Sequence, residues 1–435
     1  GSSVVGAYQI TSGLNTYVAA VGWGADPWGD GTWGSGTALG TAGQLRLYSQ
    51  DNFGEDLIFN VRNGGIYYWD QSSGLDTRGA NITALGGASD CPTVAAQILV
   101  SDNDQHIIAF GANTLGSADQ DPLLVRWSDQ ESAADWTPTA TNTSGGVRVN
   151  SGSAIVGAVQ TRQEILIWTD TSLHSMRFVG APFVFQFTTL STDVAMISPN
   201  AAVNARGNVF FMDKTGFYIY NGAVQQLPCS VQDYVLSNIN MSQAFKVFAA
   251  ENNAFSEIIW FYPVGSGTPD ITNYVSYNYA ENLWAVGTLA RGGWLDSGVL
   301  NGPVGSSVVT DTDANYLYSH ESGYDDDGSA MTAYIESGDL EIGDGERFTM
   351  INRVVPDFSF SGDVDEASIA MTIKGSNFPL ETASSLATST ITNSTTQSDI
   401  RARARHTILR VESSGVGFGW RLGGFRFGMR QDGRR

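Results

Sequence analysis

Short strands entered from tight turns recur through most of this chain, and they recur at one spacing. Gly65-Ile66-Tyr67-Tyr68-Trp69, Pro122-Leu123-Leu124-Val125-Arg126-Trp127 and Thr171-Ser172-Leu173-His174-Ser175-Met176 are the first three. Gly216-Phe217-Tyr218-Ile219-Tyr220, Asn273-Tyr274-Val275-Ser276-Tyr277 and Asn315-Tyr316-Leu317-Tyr318-Ser319 follow. Their starts lie about 50 residues apart on average, a blade-sized period. One such unit cannot bury its own apolar faces, so copies must stack on their neighbours. Six repeats predict an all-β chain built on a six-bladed β-propeller.

The clearest unit runs Asn208-Val209-Phe210-Phe211-Met212, then Phe217-Tyr218-Ile219-Tyr220, then Ala223-Val224-Gln225-Gln226-Leu227. Asn221-Gly222 joins the last two strands, and such a pair predicts a hairpin turn with positive φ at both positions. Val231–Asn240 has no turn residue and carries apolar side chains at 231, 235 and 239, which predicts a short helix inserted between blades.

Three regions follow. Residues 1–45 form a Gly- and Trp-rich extension, 46–330 the propeller, and 331–435 an antiparallel β-sandwich or platform with an Arg-rich end. In the extension Trp23, Trp28 and Trp33 are each followed by Gly, a five-residue period that suits neither helix nor strand. In the last region strands are expected at 333–337, 358–360, 369–374 and 406–411. Residues 382–398, almost entirely Ser, Thr, Ala and Asn, read as a flexible loop.

The 50 glycines and 48 aromatic residues suit turns and half-buried strands. Net charge is −21, which disfavours a sequence-reading nucleic-acid binder but not a wall that repels passing phosphates. Residues 401–435 hold nine arginines and two acids, net +7, which leaves −28 on the other 400 residues. Cys91 and Cys229 lie far apart without metal-type spacing and read as buried thiols of a reducing cytosol. No apolar run reaches the ~20 residues of a membrane span, and no signal peptide is visible. The opening Gly-Ser-Ser lacks an initiator Met, which reads as a trimmed or processed start or a cloning remnant.

Several stretches resemble the tail nozzle or hub proteins of podoviruses, the short-tailed bacteriophages, loosely grouped with phage DNA-stabilisation proteins. They are Arg126-Trp127-Ser128-Asp129 with Asp135-Trp136-Thr137-Pro138, Gly157–Glu164, Leu227-Pro228-Cys229, and Tyr277-Asn278-Tyr279 with Glu281–Trp284. Thr332–Glu336, Gly419–Gly423 and the ending Asp432-Gly433-Arg434-Arg435 complete the set, spread over most of residues 120–435. The resemblance implies a propeller carrying a β-rich platform, in a homohexamer around the tail axis. It places the ring below the portal and adaptor, with tail fibre or needle proteins around it. Double-stranded DNA would pass through without sequence-specific binding. It also implies a virion tail location after assembly in the host cytoplasm, with no cofactor, metal or catalytic residue.

His106, His174, His320 and His406 form no ligand pair, and no hydrolase or phosphate-loop motif is present. Ser128-Asp129 with Trp136 is similar to the Asp-box turn of sialidases. Such an enzyme would need several arginines, among Arg126, Arg162, Arg177 and Arg206, to converge on a substrate carboxylate beside a Tyr nucleophile. A receptor- or glycan-binding propeller at the tail tip is the alternative from the binding class. Asp311–Asn315 starts like a calcium loop but lacks its Gly and distal Glu, and Asp325-Asp326-Asp327-Gly328 reads as a calcium loop or a solvated turn. The glycines of Gly343-Asp344-Gly345-Glu346 read as a hairpin. Arg401, Arg403 and Arg405 alternate with alanines as one face of a strand, which is a solvated face, a subunit contact or a DNA contact. With Trp23, Trp28, Trp33, Arg434 and Arg435 they are the candidate subunit or ring–ring contacts.

Overall fold

The computed structural model describes residues 45, 47–265, 269–296, 300, 302–308, 316–341, 346–378 and 380–433. The chain divides into two compact units, residues 1–320 and 321–435.

The first unit is a six-bladed β-propeller. Five four-stranded antiparallel meanders, at Tyr48–Asn81, Gln97–Arg148, Ile155–Ser191, Ala202–Leu227 and Phe248–Thr288, precede a three-stranded sheet at Gly293–Ser319. Each blade runs its strands in chain order, and its first strand packs beside the first strand of the next blade. The six spaced repeats fall on the third strand of each of the six sheets. Their burial is uneven along the strand: Leu124–Trp127 is buried almost throughout, whereas Leu173–Gly180 is buried over its first four residues and largely exposed beyond. The second strands of blades two to five are buried on both faces and read as largely apolar runs, such as Ile165–Trp168 within Ile165–Thr169 and Ile258–Tyr262 within Glu257–Pro263. Fourth strands such as Leu283–Thr288 are largely exposed.

The core therefore lies between blades. One cluster holds Trp168, Phe211, Phe217 and Trp260 across blades three to five, and two others bridge blades one to two and two to three. Arg62 leaves blade one and donates to the Ile155 carbonyl of blade three at 3.3 Å. Its guanidinium also stands 5.9 Å from the ring of Phe245, between blades four and five, so the inner ends converge on one axis. Burial pulls the Arg62 pKa down to about 10.

The expected helix is present as Gln232–Asn238, between blades four and five. The Asn221-Gly222 hairpin differs in detail. Only Gly222 has positive φ, at 102°, and Asn221 N donates to the Ala223 carbonyl at 3.3 Å, so the loop closes over three residues.

The second unit is an antiparallel β-sandwich. One sheet orders its strands Ala333–Glu336, His406–Ser413, Ser368–Ser376 and Ser384–Thr392, with Leu340–Glu341 also on the edge of His406–Ser413. The other orders Ser398–Ala404, Thr349–Val355 and Arg426–Gln431, and Phe358–Gly362 pairs with Phe418–Leu422. Ile351, Val354, Ile369, Met371 and Val411 form the core.

Two expectations are corrected here. The Ser/Thr-rich stretch is no loop. Ser384–Thr392 pairs along all of Ser368–Gly375, and Thr372 and Thr388 meet across the strands at 3.0 Å. Thr is β-branched and suits a strand whose outer face is wet, so a polar composition hid a β pattern. The division between units also falls after residue 320 rather than after 330. Asp325 accepts a hydrogen bond from Gly417 N, and the Tyr324 ring packs on Gly362 and Gly419, which ties this segment into the sandwich.

Candidate functional site

Three of the four arginines that could face a substrate carboxylate, Arg126, Arg177 and Arg206, have their side chains engaged with other groups of the propeller. Arg126 is buried, donates to the Asp90 and Asn113 carbonyls and faces the Trp136 ring at 6.0 Å. Arg177 pairs with Glu164 at 3.4 Å. Arg206 donates to Asn253 and lies 5.2 Å from the Tyr279 ring. Arg162 is met through its carbonyl by Asn103 at 3.4 Å.

The histidines are separate too. His106 bonds Thr143, His174 lies between Ser172 and Thr189, His320 accepts from Arg291, and His406 meets Glu341 at 2.6 Å. Ser172 with His174 is a buried polar pair, with the Ser172 hydroxyl shut away from solvent. Burial pushes the pKa of both His106 and His174 down.

Asp129 fastens a turn. Its carboxylate accepts from the Thr143 backbone at 2.7 Å and its hydroxyl at 2.6 Å, while its own N–H donates to the Asp135 carbonyl. Trp136 is buried beneath. Asp325–Gly328 is likewise a turn, closed by reciprocal backbone hydrogen bonds between Asp326 and Ser329. Among the described residues no three His, Cys, Asp or Glu side chains stand close enough to hold a metal ion. Asp311–Asn315 and residues 343–345 lie outside the described residues.

Two surface hollows sit between blades. The one between blades three and four, about 460 Å³, is lined by Leu190, Val194, Tyr218, Tyr220 and Gln226. Behind it the Tyr220 hydroxyl donates to Glu164, which also accepts from Ser175 and Arg177. Burial first, then the Glu164 carboxylate, raises the Tyr220 pKa. Nothing local in the sequence announces this group, since Glu164 and Tyr220 are far apart in the chain. The second hollow, about 470 Å³, is rimmed by Cys229 and Trp284. Both cysteines are free. Cys91 is buried as expected, but Cys229 is only half-buried, because it lies on the linker that leaves blade four.

The expected row of Arg401, Arg403 and Arg405 forms only in part, because the strand ends at Ala404 and Arg405, just beyond it, is half-buried. Ala402 and Ala404 are buried, while Arg401 and Arg403 project outward. Arg403 is spoken for within its own unit, at 2.7 Å from Asp432 and 3.8 Å from the Phe348 ring, and Arg405 also faces Phe348. Trp23, Trp28, Trp33, Arg434 and Arg435 lie outside the described residues.

Among the described residues several strands of the sandwich pair on one side only, Ala333–Glu336 and Arg426–Gln431 among them. Ala333–Glu336 pairs with His406–Ser413 alone, and all four of its residues are exposed, Tyr334 at 60% and Ile335 at 51%. Arg426–Gln431 pairs with Thr349–Val355 alone and exposes Arg426, Met429 and Arg430. The sequence predicts a strand at 333–337 but not that its edge is open, and it singles out nothing at Arg426–Gln431, because openness depends on which strands pair.

No family model matches the chain, and no curated protein matches it. Among solved structures it is similar to the extracellular domain of the one-component system BT4673 from B. thetaiotaomicron, with 9% identity and a TM-score of 0.37. That likeness covers 60% of this chain and only 30% of the other. It is also similar to Hsv2 of Kluyvelomyces marxianus, at 8% identity, 73% and 93% coverage and a TM-score of 0.35. An exo-β-1,3-galactanase from Phanerochaete chrysosporium aligns at 10% identity, 87% and 94% coverage and a TM-score of 0.24. At these scores nothing about activity is carried from one chain to the other.

Proposed function

We propose that the protein is a structural subunit of a short-tailed bacteriophage tail, a nozzle or hub chain whose copies surround the channel for DNA. The observation that carries this reading is architectural. The resembling stretches imply a propeller followed by a β-rich platform, and the chain has a six-bladed propeller followed by a separate antiparallel sandwich. The charge supports the same reading, because residues 1–400 carry −28. A wall of that sign repels phosphates, so DNA in transit meets no deep binding well, whereas a basic wall would hold it. In this account the ring belongs to the virion tail, assembles in the host cytoplasm, stacks below adaptor and portal, and performs no catalysis. Imaging of the full chain, alone and with the neighbouring rings of its virion, tests it. Sixfold rings with an open bore are expected, and particles that stay single with those rings present contradict it.

A second reading is favoured by one feature, the hollow between blades three and four. Tyr218 and Tyr220 give it aromatic surface, and Gln226 adds an amide, a combination suited to a sugar ring. Under this reading the propeller binds host-surface glycan at the tail tip. A glycan array probed with the full chain tests it: binding lost in Tyr218→Ala supports it, and an array without signal contradicts it.

A further inference from the structure

The three-stranded sheet of the sandwich, Ser398–Ala404, Thr349–Val355 and Arg426–Gln431, turns one face to the core through Ile351, Val354 and Ala402. Residues paired across antiparallel strands point the same way, so the register defines what the other face carries. Met350 stands between Arg403 and Arg430, Arg353 between Asp399 and Gly428, and Val355 beside Arg426. Arg401, two residues from both Asp399 and Arg403, shares their side. Five arginines thus project from three adjacent strands, and all five are exposed. Asp399 is the one acid in these outward positions, and its carboxylate accepts from Gln397 at 2.7 Å. Arg403 is tied to Asp432, but Arg353, Arg401, Arg426 and Arg430 form no ion pair among the described residues.

This face has no apolar anchor. Met350 is 6% exposed, Val355 is half-buried and Gly428 has no side chain, while Met429 pairs with Ile351 and points to the other side. A protein interface is built round desolvated apolar groups, and a bilayer surface takes up apolar side chains along with basic ones. Bare guanidinium groups on a sheet suit a row of phosphates instead. The three outward positions of each strand span about 13 Å, over which one strand of a duplex presents about four phosphates.

We propose that this face of the sandwich binds the phosphate backbone of double-stranded DNA without reading its sequence. Arg353, Arg401, Arg426 and Arg430 supply the free forks, each able to take two phosphate oxygens at once. The net charge of −21 leaves this contact intact, because charges farther off than about 8 Å are screened at physiological salt. The inference rests on the reading that DNA passes this protein. It assigns the points of contact to the sandwich, in a path whose other charges repel the duplex.

The test is fluorescence anisotropy of a labelled duplex titrated with the full chain over a range of salt concentrations. Binding is expected at low salt, with log K falling against log salt at a slope of about −3.6, the value for four phosphates. Arg353→Gln with Arg426→Gln is expected to weaken binding by about tenfold or more for every duplex sequence and to reduce the slope by about two. Arg78→Gln, on the propeller, should change neither. A chain that leaves the duplex free at low salt overturns the inference, as does a double variant that binds like wild type. Capture by vesicles rich in phosphatidylglycerol, without duplex binding, overturns it too and makes the face a membrane contact. Microscopy with the neighbouring rings separates the two readings. Rings that form but ignore duplex overturn this inference alone. Single particles that still bind duplex through these arginines support it and overturn the ring reading.

Discussion

The side-chain amide of Gln97 pairs with both backbone groups of Ala158, its Nε2 donating to the carbonyl and its Oε1 accepting from the N–H, each at 2.8 Å. Gln97 begins the first strand of blade two, and Ala158 lies on the first strand of blade three. The contact therefore imitates a peptide pair where two sheets meet without sharing a ladder. Related stitches join other blades. Asn60 donates to the Ala95 carbonyl, Asn204 to that of Gln160, Trp260 to that of Ala201, and Trp294 to that of Glu251. Backbone groups on inner strands have little water to fall back on, so these side chains fix the spacing of the blades.

Replacing Gln97 tests that role. Gln97→Leu keeps the size but leaves the Ala158 N–H and carbonyl without partners, at a cost of about 2–4 kcal/mol for the pair. Chemical denaturation followed by Trp fluorescence reads the loss. A variant as stable as wild type would mean that the stitch is incidental.

Gly157, beside Ala158, makes room for the next blade. A Cβ there would stand 2.6 Å from the Met196 methyl and 2.7 Å from the Pro199 carbonyl oxygen. Met196 can swing aside, but the backbone at Pro199 cannot. Gly157→Ala is expected to cost about 1–3 kcal/mol, and adding Met196→Ala should not restore it. Full rescue by the second change would show that only the Met tip was in the way.

His106 and His174 make the propeller acid-sensitive. Burial holds both rings below their ordinary 6.5, so the folded state prefers them neutral while the unfolded chain takes up protons first. For His106, the nearby Asp104 and Asp129 oppose this and offset only part of it. The stability they help define is complete above about pH 6.5 and is lost as pH falls toward their lower folded values. His106→Asn with His174→Asn is expected to flatten the melting-temperature profile between pH 7 and about 5. An unchanged slope would assign the acid sensitivity to other groups.

Asp325 gives a corresponding test in the sandwich. Asp325→Ala removes the acceptor for Gly417 N and is expected to cost about 1–3 kcal/mol in the melting of that unit. Calcium should leave the melting temperature of the wild type where it was. A calcium-dependent rise abolished by Asp325→Ala would instead make this turn an ion site.

These cases also explain what could be read from the chain. Phe217, Tyr218 and Tyr220 stand out because third strands mix aromatics with adjoining turns, and all six repeats found this way are third strands. Ile165–Thr169 gave no period, because both of its faces are buried. Ser384–Thr392 was misread because hydroxyl side chains suit loops and wet strand faces equally. The open edges were the least legible. Ile335 and Met429 look like ordinary strand residues, and their exposure follows from which strands pair. The arginine row was visible by alternation, but its tie to Asp432 and Phe348 was not.

The most direct test of the central claim is electron microscopy of the full chain mixed with the adaptor and portal rings of its own virion. The account predicts sixfold rings docked coaxially on those rings, with an open bore wide enough for duplex DNA and acidic side chains facing it. Single propellers that never join the rings, or a bore lined mainly by arginine and lysine, would contradict it.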